Sequence, residues 1–491
     1  MRVIWTQAAR CMAKHQLELL VLIGLSVNPS PAQAGFDEVL AEWLADPRIE
    51  TQSDLTTAHQ RSTSSVPGDA LAIAPANPAD WTPITKAVPG IVIKGTLKDD
   101  NQGRFLLRLP TEWNGKLVVG GASGTRSEFN GDLVISDFVL QKGYAYASQN
   151  KGTMNFKVAD NSDPNACPLS PVADCVAGFA TCPLVNFFLL DNGNSLAEWG
   201  ERMNQAALVA KDLIEEHYES KVSRTYAMGV SNGGYQVRRV IEDNPETFDG
   251  GVEWEAVLWR PEGPNFIGEL PVGLKKFPAY FDSRLDPNSA EALAIQAANF
   301  PPDLVENGTS LWSLNRTQAW EVTECLYVRK LDPNYSRQFP GFAAFANYDY
   351  RTRPGSVRKT IQTFANTGIV RKPLIGVHGT LDALITLKGH ARPYKAMVEA
   401  RGFSRNYRLY EIQNGNHLDS LKGATVGKQL PNLELIQPHA HKAFELLEAW
   451  VERGITPPPS QCVQRRGTIV DRPQATECEH LLVSNGLSRS R

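Results

Sequence analysis

"YAMGVSNGGYQ", residues 226–236, places Ser231 between Gly229 and Gly233, with Gly234 directly behind. A serine in an ordinary loop needs no such room. Three residues without side chains around one hydroxyl imply a backbone forced into a tight bend, where a β-carbon would collide with its neighbours. The preceding "RTYAMGV" has an apolar strand pattern, and "YQVRRVIEDNP" has a helical one that Pro245 ends. Strand, sharp turn and helix in that order hold a serine oxygen exposed at the end of a strand, which is the setting of a nucleophile elbow. Without that setting, G-x-S-x-G is a weak signal, and a bystander serine in a glycine-rich turn is the alternative.

A serine hydroxyl is a poor nucleophile until a neighbouring base takes its proton, and histidine is the usual base near neutral pH. On a strand–turn–helix scaffold of this kind the partners follow in the chain order serine, acid, histidine. "HGTLDALI" supplies Asp382 in a turn just after a strand, and "NGNHLD" supplies His417 in the turn after the next strand. All three positions then project from carboxyl ends of strands, where open α/β sheets place their sites. Taken singly, Asp382 reads equally well as a helix cap and His417 as a surface turn residue. His378 precedes the acid on the same turn and reads as structural support. Asp282, Asp286 and Asp349 are weaker candidates for the acid. Asp419 is too close to His417 in sequence to orient it, and His439 and His441, two apart at a helix start, would not face the same way. An oxyanion formed during acyl transfer needs preorganised donors, expected from the backbone N–H of Asn232 and from the "GGASG" loop at about Ala122. That loop lacks the spacing of a dinucleotide-binding fingerprint.

Strands alternating with helices predict a mostly parallel sheet covered on both faces. "GIVIKGTL" and "RFLLRLP" predict a hairpin, followed by strands at "KLVVGG", "YAYASQN", "RTYAMGV", "FDGGVEW", "KPLIGVHGT" and "NYRLYEIQ". Residues 195–219 place Leu196, Trp199, Met203, Ala207, Ala210, Leu213 and Ile214 on one helical face. The alternation stops over 252–365, which carries Trp254, Trp259, Trp312 and Trp320 and reads as an inserted lid. The aromatic residues there would shape an apolar pocket or fill the lid's own small core. The expected organisation is a leader over 1–34, an irregular segment over 35–80, a core over 81–251 and 366–455, the lid over 252–365 and a tail over 456–491.

The chain has 491 residues, 42% hydrophobic and 21% charged, with a formal net charge of -3. Such a balance suits a globular protein and offers no electrostatic footprint for nucleic acid or an anionic membrane surface. Arg2, Arg10 and Lys14 precede the apolar run 17–27, and Ala32 and Ala34 form an A-x-A pattern with cleavage expected before Gly35. An exported, secreted or periplasmic protein is expected, with an uncleaved anchor as the other reading. Of the seven cysteines, Cys11 would leave with the leader. Cys167, Cys175, Cys182, Cys325, Cys462 and Cys478 remain, an even number that suggests disulfides, with Cys462 and Cys478 the clearest pair. The spacing at 167–182 is too wide for zinc ligand pairs, and no metal or cofactor is expected.

"LPTEWNGKLVVGGASG", "KGYAYASQNKGT", "GVSNGGYQ", "NPETFDGGV", "HGTLDALI" and "NGNHLDS" resemble the tannase and feruloyl esterase family over roughly 100–251 and 366–450. The resemblance implies an α/β-hydrolase fold, with Ser231 as nucleophile, Asp382 as orienting acid and His417 as base. It also implies hydrolysis of esters of aromatic or hydroxy acids. That family has a bonded cysteine pair beside its serine and histidine; here Val230 and Leu418 stand in those places. "SNGG", "GASGTRSEFNG" and "NKGT" are similar as well to secreted 3-hydroxybutyrate oligomer hydrolases. The expectation is therefore an exported α/β-hydrolase with a mostly parallel sheet, helices on both faces and an inserted lid, forming an acyl-enzyme on a small or oligomeric ester without a cofactor. A peptidase on the same scaffold and a catalytically inactive binding module are the readings from other classes.

Overall fold

Along the strand that leads to Ser231, Ala227 points into one apolar layer while Tyr226, Met228 and Val230 point into another, so this strand is covered on both faces. The computed structural model describes residues 31–57, 80–121, 123–124, 127–152, 157–159, 167–168, 184–186, 196–339, 342–423 and 430–483. Its central sheet has ten strands: β1 (Arg48–Gln52), β2 (Gly90–Thr96), β3 (Arg104–Pro110), β4 (Lys116–Gly121), β5 (Ala145–Gln149), β6 (Arg224–Val230), β7 (Gly250–Trp254), β8 (Leu374–Gly379), β9 (Tyr407–Ile412) and β10 (Gln461–Val463). They lie side by side in the order β1-β2-β3-β5-β4-β6-β7-β8-β9-β10. β1, β2, β3 and β5 pair antiparallel. From β5 to β10 every neighbouring pair is parallel.

Helices cover both faces because each parallel strand must return to the same edge. On one face lie α1 (Pro31–Trp43), α3 (Glu198–Tyr218) and α8 (Arg392–Ala400); on the other lie α2 (Asp137–Leu140) and α9 (Gln437–Arg453). Between them in sequence, α4 (Asn232–Asp243) follows β6. Trp199, Met203, Ala207, Ala210, Leu213 and Ile214 are all buried, as their spacing predicts. The strand order, the crossing helices and the serine turn after β6 make this an α/β-hydrolase fold.

Two expectations for segments outside the core are revised. Residues 35–80 were expected to be irregular, yet α1 buries Phe36 and Leu40 one helical turn apart, with Leu44 just beyond it. β1 adds an antiparallel strand with Ile49 opposite Ile93. As an edge strand largely open to solvent, β1 shows no apolar alternation from which it could have been read. The tail after 456 contributes β10, whose three residues are too few to display a period, although Val463 is buried. Residues 1–30 of the expected leader (1–34) lie outside the described residues, and residues 31–34 begin α1.

Between β7 and β8 the chain forms α5 (Phe266–Asp282), α6 (Ala290–Ala297), α7 (Glu321–Leu331) and further helices. Trp259, Trp312 and Trp320 are fully enclosed there, with edge-on contacts of Trp320 to Phe300 at 5.0 Å and of Trp312 to Tyr280 at 5.1 Å. These tryptophans fill the core of the inserted helices and offer no surface for a pocket. Trp254 ends β7 and belongs to the sheet's own core. Cys325 on α7 is bonded to Cys167, and Cys462 to Cys478 as predicted. Cys175 and Cys182 lie outside the described residues.

Candidate active site

Ser231 joins β6 to α4 with φ 60° and ψ -119°, a conformation that a residue with a β-carbon adopts only when its surroundings enforce it. The surroundings are visible in the glycines: a β-carbon on Gly229 would stand 2.4 Å from the Gly233 carbonyl oxygen, and one on Gly234 would stand 2.7 Å from Ala256. The Ser231 N–H donates to the Trp254 carbonyl at the end of β7 (2.8 Å), and the Ser231 carbonyl accepts from Tyr235 N–H (3.0 Å). Asn232 opens α4, so its backbone N–H is one of the helix's unpartnered leading donors. Its side-chain Nδ2 donates to the Tyr327 hydroxyl on α7 (2.6 Å), which ties the inserted helices to the elbow.

The acid and base candidates come from the turns after β8 and β9. These turns touch along their backbones: Leu381 N–H donates to the Gly415 carbonyl (2.7 Å) and Thr380 N–H to the Ile412 carbonyl (2.9 Å). Asp382 Oδ1 accepts from the Leu384 and Ile385 amides at 2.9 and 2.7 Å. His417 Nδ1 lies 2.7 Å from Asp382 Oδ2, and its Nε2 lies 3.0 Å from Ser231 Oγ. A neutral ring that donates from Nδ1 to the carboxylate has Nε2 free to accept the serine proton. The structure thus brings together the three residues picked out from the sequence. Asp382 is sealed at 0% exposure, while Ser231 and His417 keep 6% and 5%. Burial raises the Asp382 pKa, but the His417 ring and its hydrogen bond, with His378 and the Ile385 amide, outweigh burial and hold the carboxyl below its ordinary range.

His378, expected to stand beside Asp382, does so. Its Nε2 donates to the Ile385 carbonyl (2.7 Å) and lies 3.6 Å from Asp382 Oδ2. Burial lowers its pKa to about 4, so the ring is neutral. Trp320 of the inserted helices donates from Nε1 to the Ala383 carbonyl in the same turn (2.7 Å).

Sequence reasoning missed Glu255. It directly follows β7, is fully buried at φ 48°, and places Oε2 3.8 Å from His417 Nδ1. The signal was there to read: "GGVEWE" sets an acid at a strand's carboxyl end, one register step from the elbow, with Val230 beside Trp254 in the sheet. Glu255, Asp382 and His417 each offer one ligand atom within 4.8 Å of the others, a spacing that a small cation could bridge. His417 Nδ1 is, however, already engaged by Asp382.

The remaining candidates sit elsewhere. Ala122 lies outside the described residues. Asp282 and Asp286 are exposed, and Asp349 accepts from the Arg351 amide as a local cap. Asp419 accepts from the Ile436 and Gln437 amides (2.8 and 2.9 Å) at the start of α9. His439 faces Glu434 at 3.9 Å, whereas His441 bonds to the Val134 carbonyl at 2.6 Å, so the two rings diverge. Val230 and Leu418 contribute to the same apolar cluster beneath the site.

A family model of the 3HB-oligomer hydrolases matches residues 345–484, a stretch that contains Asp382 and His417 but not Ser231. The chain is 21% identical over 322 residues to a probable feruloyl esterase B-1 of Aspergillus flavus, covering 52% of this chain and 61% of the relative. It is 26% identical over 168 residues to a probable feruloyl esterase of Arthroderma benhamiae, covering 33% of this chain and 27% of the relative. It thus spans less than two thirds of the length of these curated relatives. Among solved structures, feruloyl esterase B from Aspergillus oryzae is similar with a TM-score of 0.46 at 16% identity, covering 87% of this chain and 92% of that one. Tannin acyl hydrolase from Aspergillus niger is similar with a TM-score of 0.46 at 14% identity, covering 87% and 88%. The feruloyl esterase resemblance read from the motifs is matched by these curated relatives, and the oligomer-hydrolase resemblance by the family model.

Proposed function

We propose that this chain is an exported serine carboxylic-ester hydrolase acting on esters of aromatic or hydroxy acids. The observation that carries the proposal is the hydrogen-bonded line from Ser231 Oγ through the His417 ring to Asp382. Ser231 Oγ adds to the ester carbonyl carbon as His417 Nε2 takes its proton, and Asp382 stabilises the resulting imidazolium. The oxyanion is held by the Asn232 N–H and by the N–H expected at Ala122. His417 then returns the proton to the departing alcohol oxygen, leaving the acyl group on Ser231. Water then adds to the acyl carbon as His417 Nε2 takes its proton, and His417 returns that proton to Ser231 Oγ as the acyl–Oγ bond breaks and the acid leaves. The similarity to probable feruloyl esterases supports an aromatic acyl group. The match to 3HB-oligomer hydrolases supports a second substrate class, short 3-hydroxy acid oligoesters.

The test is covalent labelling with a fluorophosphonate probe, together with turnover of ferulate, gallate and 3-hydroxybutyrate oligomer esters. The wild-type chain is labelled and cleaves at least one class, and Ser231→Ala does neither. Equal labelling of the variant would remove Ser231 from the reaction, and preference for the oligoester would select the second substrate class.

A further inference from the structure

The reaction proposed above, on which this inference rests, uses one carboxylate, yet two stand against the same ring. Glu255 Oε2 lies 3.8 Å from His417 Nδ1, the nitrogen that Asp382 Oδ2 engages at 2.7 Å. Oε2 of Glu255 has no hydrogen-bond partner among the described residues, and Oε1 accepts one long bond from the Gly379 amide at 3.3 Å. Its backbone is pinned as well: the Glu255 N–H donates to the Val377 carbonyl (2.9 Å), and φ is 48°. Glycine or asparagine would take that left-handed conformation readily. A glutamate held there, buried and aimed at a histidine, is an unusual choice for packing alone.

We propose that Glu255 is a second acid for His417: a positioning residue beside the Asp382–His417 pair that becomes the orienting anion when Asp382 carries no charge. The division of roles follows from donors and charge. Asp382 receives three hydrogen bonds, from Leu384, Ile385 and His417, and is ionised. Glu255 Oε1 accepts one long bond from the Gly379 amide, the Trp254 side chain adds a further, smaller pull, and the carboxyl faces Asp382 and Asp419, with His417 the facing base and His378 behind Asp382. Burial, then the charges of Asp382 and Asp419, push Glu255 well above the ordinary carboxylate range against the pull of the Gly379 amide. Two carboxyls driven in opposite directions by their surroundings is how paired acids take separate roles.

The experiment compares Asp382→Asn with the double variant Asp382→Asn/Glu255→Gln in the full chain. It measures kcat and KM for an aryl ester from pH 6 to 10 and thermal melting of each protein. Loss of a sole orienting acid costs about 10⁴ in kcat. Here Asp382→Asn is expected to lose only about 10², with the residual rate rising towards alkaline pH as Glu255 ionises, and with KM unchanged. Adding Glu255→Gln removes about another 10² and abolishes that rise. Equal rates and parallel pH profiles for the single and double variants would overturn the assignment. If the double variant does not fold, the Asp382→Asn profile decides alone, a flat alkaline limb being the refuting result. Ser231→Ala is run alongside. Wild-type turnover by that variant would sink the esterase proposal itself, whereas an inactive Ser231→Ala with a 10⁴-fold loss in Asp382→Asn sinks only the role of Glu255.

Discussion

Gly379 and Gly415 lie backbone against backbone, so close that a β-carbon on Gly379 would stand 2.4 Å from the Gly415 carbonyl oxygen. This contact sets the turn of Asp382 against the turn of His417. Gly379→Ala must push the two turns apart, because the obstacle is main chain and cannot rotate away. A loss of about 1–3 kcal/mol in stability is expected from overpacking. About 10² in kcat should go with it, since displacement of roughly 1 Å is enough to misalign reacting groups. Denaturant midpoints and ester turnover check both, and unchanged turnover would show that the turns tolerate separation.

Tyr327 should matter to the elbow although it is far from Ser231 in sequence. Tyr327→Phe leaves the buried Asn232 Nδ2 without its acceptor. An unmet buried donor costs about 1–3 kcal/mol. A lower melting temperature is expected, and a kcat decrease of up to about tenfold if 1.4 kcal/mol of that reaches the transition state. Fluorophosphonate labelling of Ser231 should persist.

The stability contributed by Asp137 and Asp419 should fall as pH rises from about 4 to about 7, opposite to that of the buried His378 and His441 rings, whose pKa burial lowers to about 4. Burial raises the pKa of Asp137 from 3.8 to about 7 against the hydrogen bonds from Thr57, and burial raises Asp419 to about 7 likewise. For each, the folded state holds a proton that the unfolded state has released, so its contribution is complete below pH 3.8 and lost as pH passes its folded value. Asp382 runs the other way: its lowered pKa contributes stability above pH 3.8 that disappears on acidification. Asp137→Asn should therefore make the slope of melting temperature against pH more positive between pH 4 and 7. An unchanged slope would mean that Asp137 is ionised in the folded chain.

The tail disulfide should act on stability and leave catalysis alone. Cys462 and Cys478 close a loop with a sequence separation of 16, for which chain entropy gives about 3 kcal/mol. Non-covalent ties remain in the double serine variant, since the amide of residue 478 donates to Glu411 (2.6 Å) and its carbonyl accepts from Arg392 (3.0 Å). Earlier melting with unaltered kcat at low temperature is the expected pair of results.

Local signals carried most of the core. The elbow was legible because its constraints are short-range: an apolar strand, glycines where a β-carbon meets main chain within 3 Å, and a helix behind. Asp382 and His417 were legible because each follows a strand at its carboxyl end in the expected chain order. β1 and β10 escaped notice, one being an exposed edge and the other three residues long, so neither shows a period.

The amino-acid sequence by itself determined the alternating elements, the serine turn and which residues could supply acid and base. Only the tertiary structure decided that Glu255 shares the His417 ring, that Cys325 bonds to Cys167 across 158 residues, and that Tyr327 reaches Asn232. The reason is physical. Periodicity and turn chemistry act over a few residues of chain, whereas these contacts are set by how adjacent strands align and how the inserted helices settle on them, which no local pattern encodes.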